Sequence, residues 1–340
     1  HIVCNDLMYP CLERSLEILS PWLALSDSKE SNCITLLSGD LLNHLLDQLI
    51  RMEQNMAAIT TDRRQSVAAE GHCQRCLAYS RRFGLEGEQK TTFIFAALRA
   101  YCQLRQQQND YLDAVNFAEE GYNLVVTAYD PVHPEVQEAA SVLINVLILK
   151  GDLYDAERYA QATYGNLRDK KNEIDQEGED MAKGAYNLAN VIHEQNGDLI
   201  KAEELARESL RIRNLVYGNN HNNVSVSCDL LAGILSAQGK FGDETRGLYE
   251  RALAISLKHT GPDGYNFGVA NNSIGMFYQK LAGIQLTIDL KRTQLLLAKF
   301  HLEECLRIYS KLYGPTHSIN LNAESVLASI LSELTIMSLD

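Results

Sequence analysis

The side chains able to do chemistry fall in a few places. His72, Cys73 and Cys76 in the run HCQRC occupy one helical turn, and imidazole plus two thiolates is half of a tetrahedral Zn²⁺ shell. A complete site needs a fourth ligand, and the upstream thiols Cys4, Cys11 and Cys33 are spaced by 7 and 22, which matches no standard module. The expected reading is that these cysteines are small apolar fillers on a helix. A redox role for the pair lacks the strand-then-helix context in which such pairs work. His133, His221 and His317 recur at equivalent places along the chain. On successive packed helices they stand about 10 Å apart, too far to share a metal with bonds of about 2 Å, so capping or packing is expected of them. No GxGxxG, GK[ST], HExxH or GxSxG occurs, and nothing pairs a nucleophile with a base. No metal, no cofactor and no catalytic residue are expected, and the chain reads as a non-enzyme.

The elements that position such residues must be helices. The 340 residues include 46% apolar side chains, enough for a large core, with only 6 Pro and 21 Gly and no convincing alternation of strand-favouring residues. The formal charge of -13 speaks against nucleic acid or an anionic membrane as partner and for neutral or basic protein segments. No apolar run is long enough to span a bilayer, and Asp6, Glu13 and Glu17 sit where a signal peptide would be basic and then apolar. Eight scattered cysteines, mostly on apolar helical faces, suggest reduced thiols and a cytoplasmic or nuclear location.

The helices repeat. NDYLDAVNFAEE (109–120), GDLYDAERYAQA (151–162) and GDLIKAEELARE (197–208) align, with a turn residue (Asn109, Gly151, Gly197) followed by Ala114, Ala156, Ala202 and, four further on, Ala118, Ala160, Ala206. The spacings are 42 and 46 residues. GKFGDETRGLYERALAI begins a fourth copy at Gly239, and a fifth places Ala298 and Leu302 in register after an insertion. Alanines four apart make a narrow face that lets two helices approach closely, and the Gly or Asn supplies a turn, so each unit reads as a helical hairpin. An amphipathic stretch precedes each turn, and Pro131, Pro134, Pro262 and Pro315 fall in the tails that end the second helices.

With these residues in view, NLANVIHEQNGDLIKAEELARESLRIRNLVYGNNH resembles the longer tetratricopeptide unit, of roughly 42 residues, found in kinesin light chains and similar scaffolds. LYERALAI, NNSIGMFYQ and YGPTH in the later copies are similar to the same pattern. The resemblance spans about residues 90–337 and concerns the repeat class, because no heptad coiled coil precedes it. It implies an all-α, right-handed superhelical solenoid, with an N-terminal helical region or cap over 1–84 and about five hairpins plus a capping helix over 85–340. Leu36–Ile59 reads as an amphipathic helix that caps the stack, and residues 62–84 as another that pairs with the first repeat. GIQLTIDLKRTQ (283–294) should lengthen the fifth hairpin and project from it.

The resemblance also implies a use. Placing Ala189, Ala232 and Gly275 in the hairpin interfaces turns Tyr186, Asn190, His193, Asp229, Ser236, Asn272 and Gln279 toward a concave groove, which Arg99, Gln103, Ser141 and Asn145 continue in the earlier repeats. Amides, hydroxyls and single charges suit the backbone of an extended peptide, so the expected function is a non-catalytic scaffold or adaptor that holds a segment of a partner protein. The alternatives are a sensor of a peptide or small molecule, or the recruitment module of an enzyme whose catalytic domain lies outside this chain.

Overall fold

The structure, a computed structural model, describes residues 53, 66–82, 87–169, 178–315 and 319–338. The expected Leu36–Ile59 helix, Cys4, Cys11, Cys33 and His317 lie outside these, apart from Glu53. All regular structure among the described residues is helical: α1 (Ser66–Arg82), α2 (Gly87–Gln107), α3 (Tyr111–Ala128), α4 (Pro134–Lys150), α5 (Leu153–Asp169), α6 (Glu179–Glu194), α7 (Leu199–Tyr217), α8 (Asn222–Ala237), α9 (Asp243–Thr260), α10 (Tyr265–Gly283), α11 (Ile288–Tyr313) and α12 (Ile319–Ile336). The chain forms two compact units, one ending at Gly151 and the other starting at Asp152.

In the first unit α1 packs on α2, α2 on α3 and α3 on α4, while α2 also touches α4 one repeat on. In the second, each helix from α5 to α12 packs on the next, and the first helices of successive hairpins also meet: α6 with α8, α8 with α10, α10 with α12. This is the two-layer stacking of a helical solenoid, with first helices forming the inner layer.

Local chemistry explains where the helices break. Asn109 (φ 60°), Gly151 (φ 92°), Asn196 (φ 51°) and Gly239 (φ 77°) adopt the left-handed conformation after α2, α4, α6 and α8. In the third repeat the left-handed residue is thus Asn196 and not the expected Gly197, because asparagine tolerates this region and stands one position earlier. Asp110 and Asp198 then cap α3 and α7, the latter accepting from the Ile200 and Lys201 amides at 3.1 Å. Gly218, Gly261 and Gly314 end α7, α9 and α11. Two glutamines tie neighbours together: Gln195 donates to the Leu153 carbonyl (2.9 Å) and Gln238 to the Leu199 carbonyl (2.7 Å).

The alanine ladder is the core. Ala114, Ala118, Ala156, Ala160, Ala202, Ala206, Ala298 and Leu302 are all buried, as are Ala189, Ala232 and Gly275 on the facing helices. A methyl added at Gly275 would stand 2.9 Å from Leu302 Cγ, so this crossing is closer than alanine allows. The fourth repeat replaces the alanine pair with buried Thr245 and Tyr249, whose ring packs 5.3 Å from that of Phe277. The fifth hairpin is longer than its two predecessors: α10 has 19 residues against 16 in the first helices α6 and α8, and α11 has 26 against 19 and 18 in the second helices α7 and α9. At its tip Ile284, Leu286, Ile288 and Leu290 are exposed. No helix among the described residues is long and apolar enough to cross a membrane.

Candidate functional site

In the first unit, the four sequence-chosen residues come together. Arg99 and Gln103 on α2 and Ser141 and Asn145 on α4, with Cys102, Gln106 and Val142, line one open cleft of ≈ 370 Å³. They do so because residues four apart on a helix share a face and α2 lies against α4. Arg99 is ion-paired with Glu138 at 3.2 Å, Gln106 donates to Cys102 Sγ at 3.2 Å, and Ser141 donates to the Gln137 carbonyl at 2.7 Å. Gln103 and Asn145 are exposed.

In the second unit, Tyr186 on α6, Asp229 on α8 and Asn272 on α10 stand at intervals of 43 residues, one on each successive inner helix. Each is partly exposed. Asp229 Oδ2 accepts from Ser273 Oγ on α10 at 2.9 Å, while its Oδ1 and the Asn272 Oδ1 are sealed from solvent with no donor among the described residues. Burial pushes the Asp229 carboxyl up to about 7, against the opposing pull of the Ser273 bond. Burial likewise pushes the Tyr186 phenol up to about 12, with the Arg213 guanidinium pulling the other way. Asn190 and Gln279 are partly exposed on α6 and α10. His193 stands against Gly233, and burial lowers its pKa. Ser236 is buried beside Tyr249, so a ligand in the groove would meet it only after a rearrangement.

One functional-looking group escaped the sequence reading. Arg213 is buried on α7, with its guanidinium 5.0 Å from the Tyr186 ring centre. It donates to Ser227 Oγ (3.0 Å) and the Asn223 carbonyl (3.2 Å) and lies 3.4 Å from Glu179. Its position eleven residues after Ala202 and seven after Ala206, on the apolar stripe, was the available signal. Ser273 was missed because it neighbours Asn272 on the same helix.

The metal-like features resolve into packing. His72 Nδ1 lies 2.6 Å from Glu53 Oε2, and Arg75 donates to the same carboxylate at 2.7 Å. Cys73 packs on Tyr101, and Cys76 on Phe93 and Ala97. Burial pushes the Cys73 thiol up to about 12 and the Cys102 thiol up to about 11, which suppresses thiolate chemistry. Among the described residues no group of three or more His, Cys, Asp or Glu is placed to hold a metal ion. His133 and His221 cap α4 and α8: each Nδ1 accepts a backbone amide two residues on (3.2 and 3.1 Å), and each ring stacks on the tyrosine four residues before it.

Residues 180–258 match the tetratricopeptide repeat family. No curated protein matches it in sequence. Among solved structures, BtubC (BKLC) from P. vanneervenii is similar at a TM-score of 0.57 and 15% identity, over 76% of this chain and 92% of that one. The Rap conjugation gene regulator of plasmid pLS20, in complex with the Phr* peptide, gives 0.54 and 16% identity, over 92% and 80%. A Rap protein complexed with Competence and Sporulation Factor gives 0.51 and 14%, over 99% of both chains. At these identities the likeness is one of fold.

Proposed function

We propose that this chain is a non-catalytic scaffold whose inner helices hold an extended segment of a partner protein. The observation that carries the reading is the polar file Tyr186, Asp229, Asn272, set at one position on three successive inner helices, with two oxygens lacking a donor among the described residues. Buried polar atoms are nearly always paired, so acceptors without partners in an otherwise well-packed inner layer suit a ligand that brings donors. An extended peptide does so at regular intervals through its backbone amides. Two of the structurally similar proteins are described with a bound peptide or factor, which supports this use of the fold. The amide-lined cleft between α2 and α4 is a second place where the same chemistry is available.

The test is panning of displayed random peptides on the intact chain, followed by calorimetry on Asn190→Ala and Asn272→Ala. Peptides that bind the intact chain and lose at least about tenfold in affinity, or about 1.4 kcal/mol, in variants with unchanged melting support the groove. Peptides that bind the variants equally, or no selected peptide at all, sink the reading.

A further inference from the structure

The Asp229 carboxyl is an expensive group to place where it is. A buried charge is costly unless it is paired, and this one has one hydroxyl donor, Ser273, and no cation among the described residues. The titratable groups that feel its charge come from several helices: the phenols of Tyr186 (α6), Tyr249 (α9) and Tyr309 (α11), and the Cys228 thiol beside it. The cations nearby are engaged elsewhere. Arg213 is bound to Glu179, Ser227 and the Asn223 carbonyl, and Arg251 donates to Asn214 Oδ1 (2.7 Å) and the Asn219 carbonyl (2.9 Å). One repeat on, Asn272 Oδ1 is also sealed and without a donor among the described residues. Two acceptors without donors, a carboxylate and several aromatic rings together complement a group that only donates, carries positive charge and lies well on a ring face.

We propose that Asp229, with the Asn272 amide oxygen and the surrounding tyrosine rings, is an anchoring subsite for one lysine or arginine side chain of the bound partner segment. This rests on the inner layer being the peptide-binding face, and it selects basic segments. The exchange balances: the protonated carboxyl gives up its proton to solvent as the ammonium or guanidinium takes its place, so –COOH and R–NH₃⁺ become –COO⁻···⁺H₃N–R and H⁺. Affinity for a basic segment therefore rises with pH by up to about tenfold per unit until about 7, then levels off. The phenols and the thiol stay protonated over this range. Burial pushes the phenols of Tyr186, Tyr249 and Tyr309 and the Cys228 thiol upward, and it favours neutral His193, which stands on α6 with Glu194 and Lys280 in its field.

Two measurements separate the subsite from the broader reading. The first is a ¹³C NMR titration of the Asp229 carboxyl in the full chain, without and with excess n-butylguanidinium. A lower midpoint with the cation present is expected, and an unmoved midpoint overturns the subsite. The second is selection from a degenerate peptide pool by the intact chain and by Asp229→Asn. A basic preference of about tenfold at one peptide position, lost in the variant, is expected; bound peptides with no basic preference, or the same preference in the variant, overturn it. A lowered midpoint with no peptide retained leaves the cation subsite standing and removes the peptide-groove function.

Discussion

Asp229→Asn should stabilise the second unit, and by more as the pH rises. The carboxyl is raised from 3.8 to about 7, so the folded chain holds this proton more tightly than the unfolded chain does. The charge then costs nothing below pH 4, costs progressively more as the pH climbs toward 7, and costs the full amount above it. Roughly three units at about 1.4 kcal/mol each set a ceiling of about 4 kcal/mol, and relaxation around a partly exposed side chain brings the expectation to about 2 kcal/mol. Asparagine keeps the Ser273 bond through its amide oxygen and carries no charge at any pH. Urea unfolding of both proteins at half-unit steps from pH 4.5 to 8.5 measures the difference. A constant offset from the new amide group is immaterial, because the pH slope carries the information. A stability difference that stays flat across this range would refute the idea that Asp229 is a desolvated, unpaired acid.

The remaining expectations concern packing and caps. Gly275→Ala should cost about 1–3 kcal/mol by forcing Leu302 aside, and Leu302→Val should recover part of it, as thermal melts of the single and double variants would show. His221→Ala should lose about 1 kcal/mol with the α8 cap, while His221→Asn keeps an acceptor for the Asn223 amide and most of the stability, measured by denaturant midpoints. Cys73 and Cys102 should resist iodoacetamide at pH 8 in the folded chain and react in urea, read by mass spectrometry of their peptides; rapid labelling of either in native buffer would contradict their buried, raised thiols.

Much of the fold was legible because it repeats. Ala202 and Ala206 mean little alone, but the same pair after a turn residue at three places in the chain specifies hairpins, and the Ala189, Ala232 and Gly275 positions follow from their facing helices. What periodicity could not supply was the exception within a repeat. Thr245 and Tyr249 fill the space that alanines occupy elsewhere, because the ring of Phe277 lies across from them. Arg213 reads as a surface charge by residue type, yet Glu179, Ser227 and the Tyr186 ring, fourteen or more residues away along the chain, make its burial tolerable. The inner polar residues share a helical face and so could be named together, whereas the raised carboxyl of Asp229 comes from its burial between helices, against the Ser273 bond, and has no local signature.

The most direct test of the account places a photo-crosslinking p-benzoylphenylalanine at Asn190 on the inner layer and, as a control, at exposed Leu215 on α7, in cells expressing the full chain. The account predicts that the probe at Asn190 captures a partner protein whose crosslinked peptide contains a lysine or arginine within reach of Asp229, and that the Leu215 probe does not capture it. Capture of that partner from Leu215 but not from Asn190 would place the interaction on the outer helices and contradict the claim that the inner layer is where this protein holds its partner.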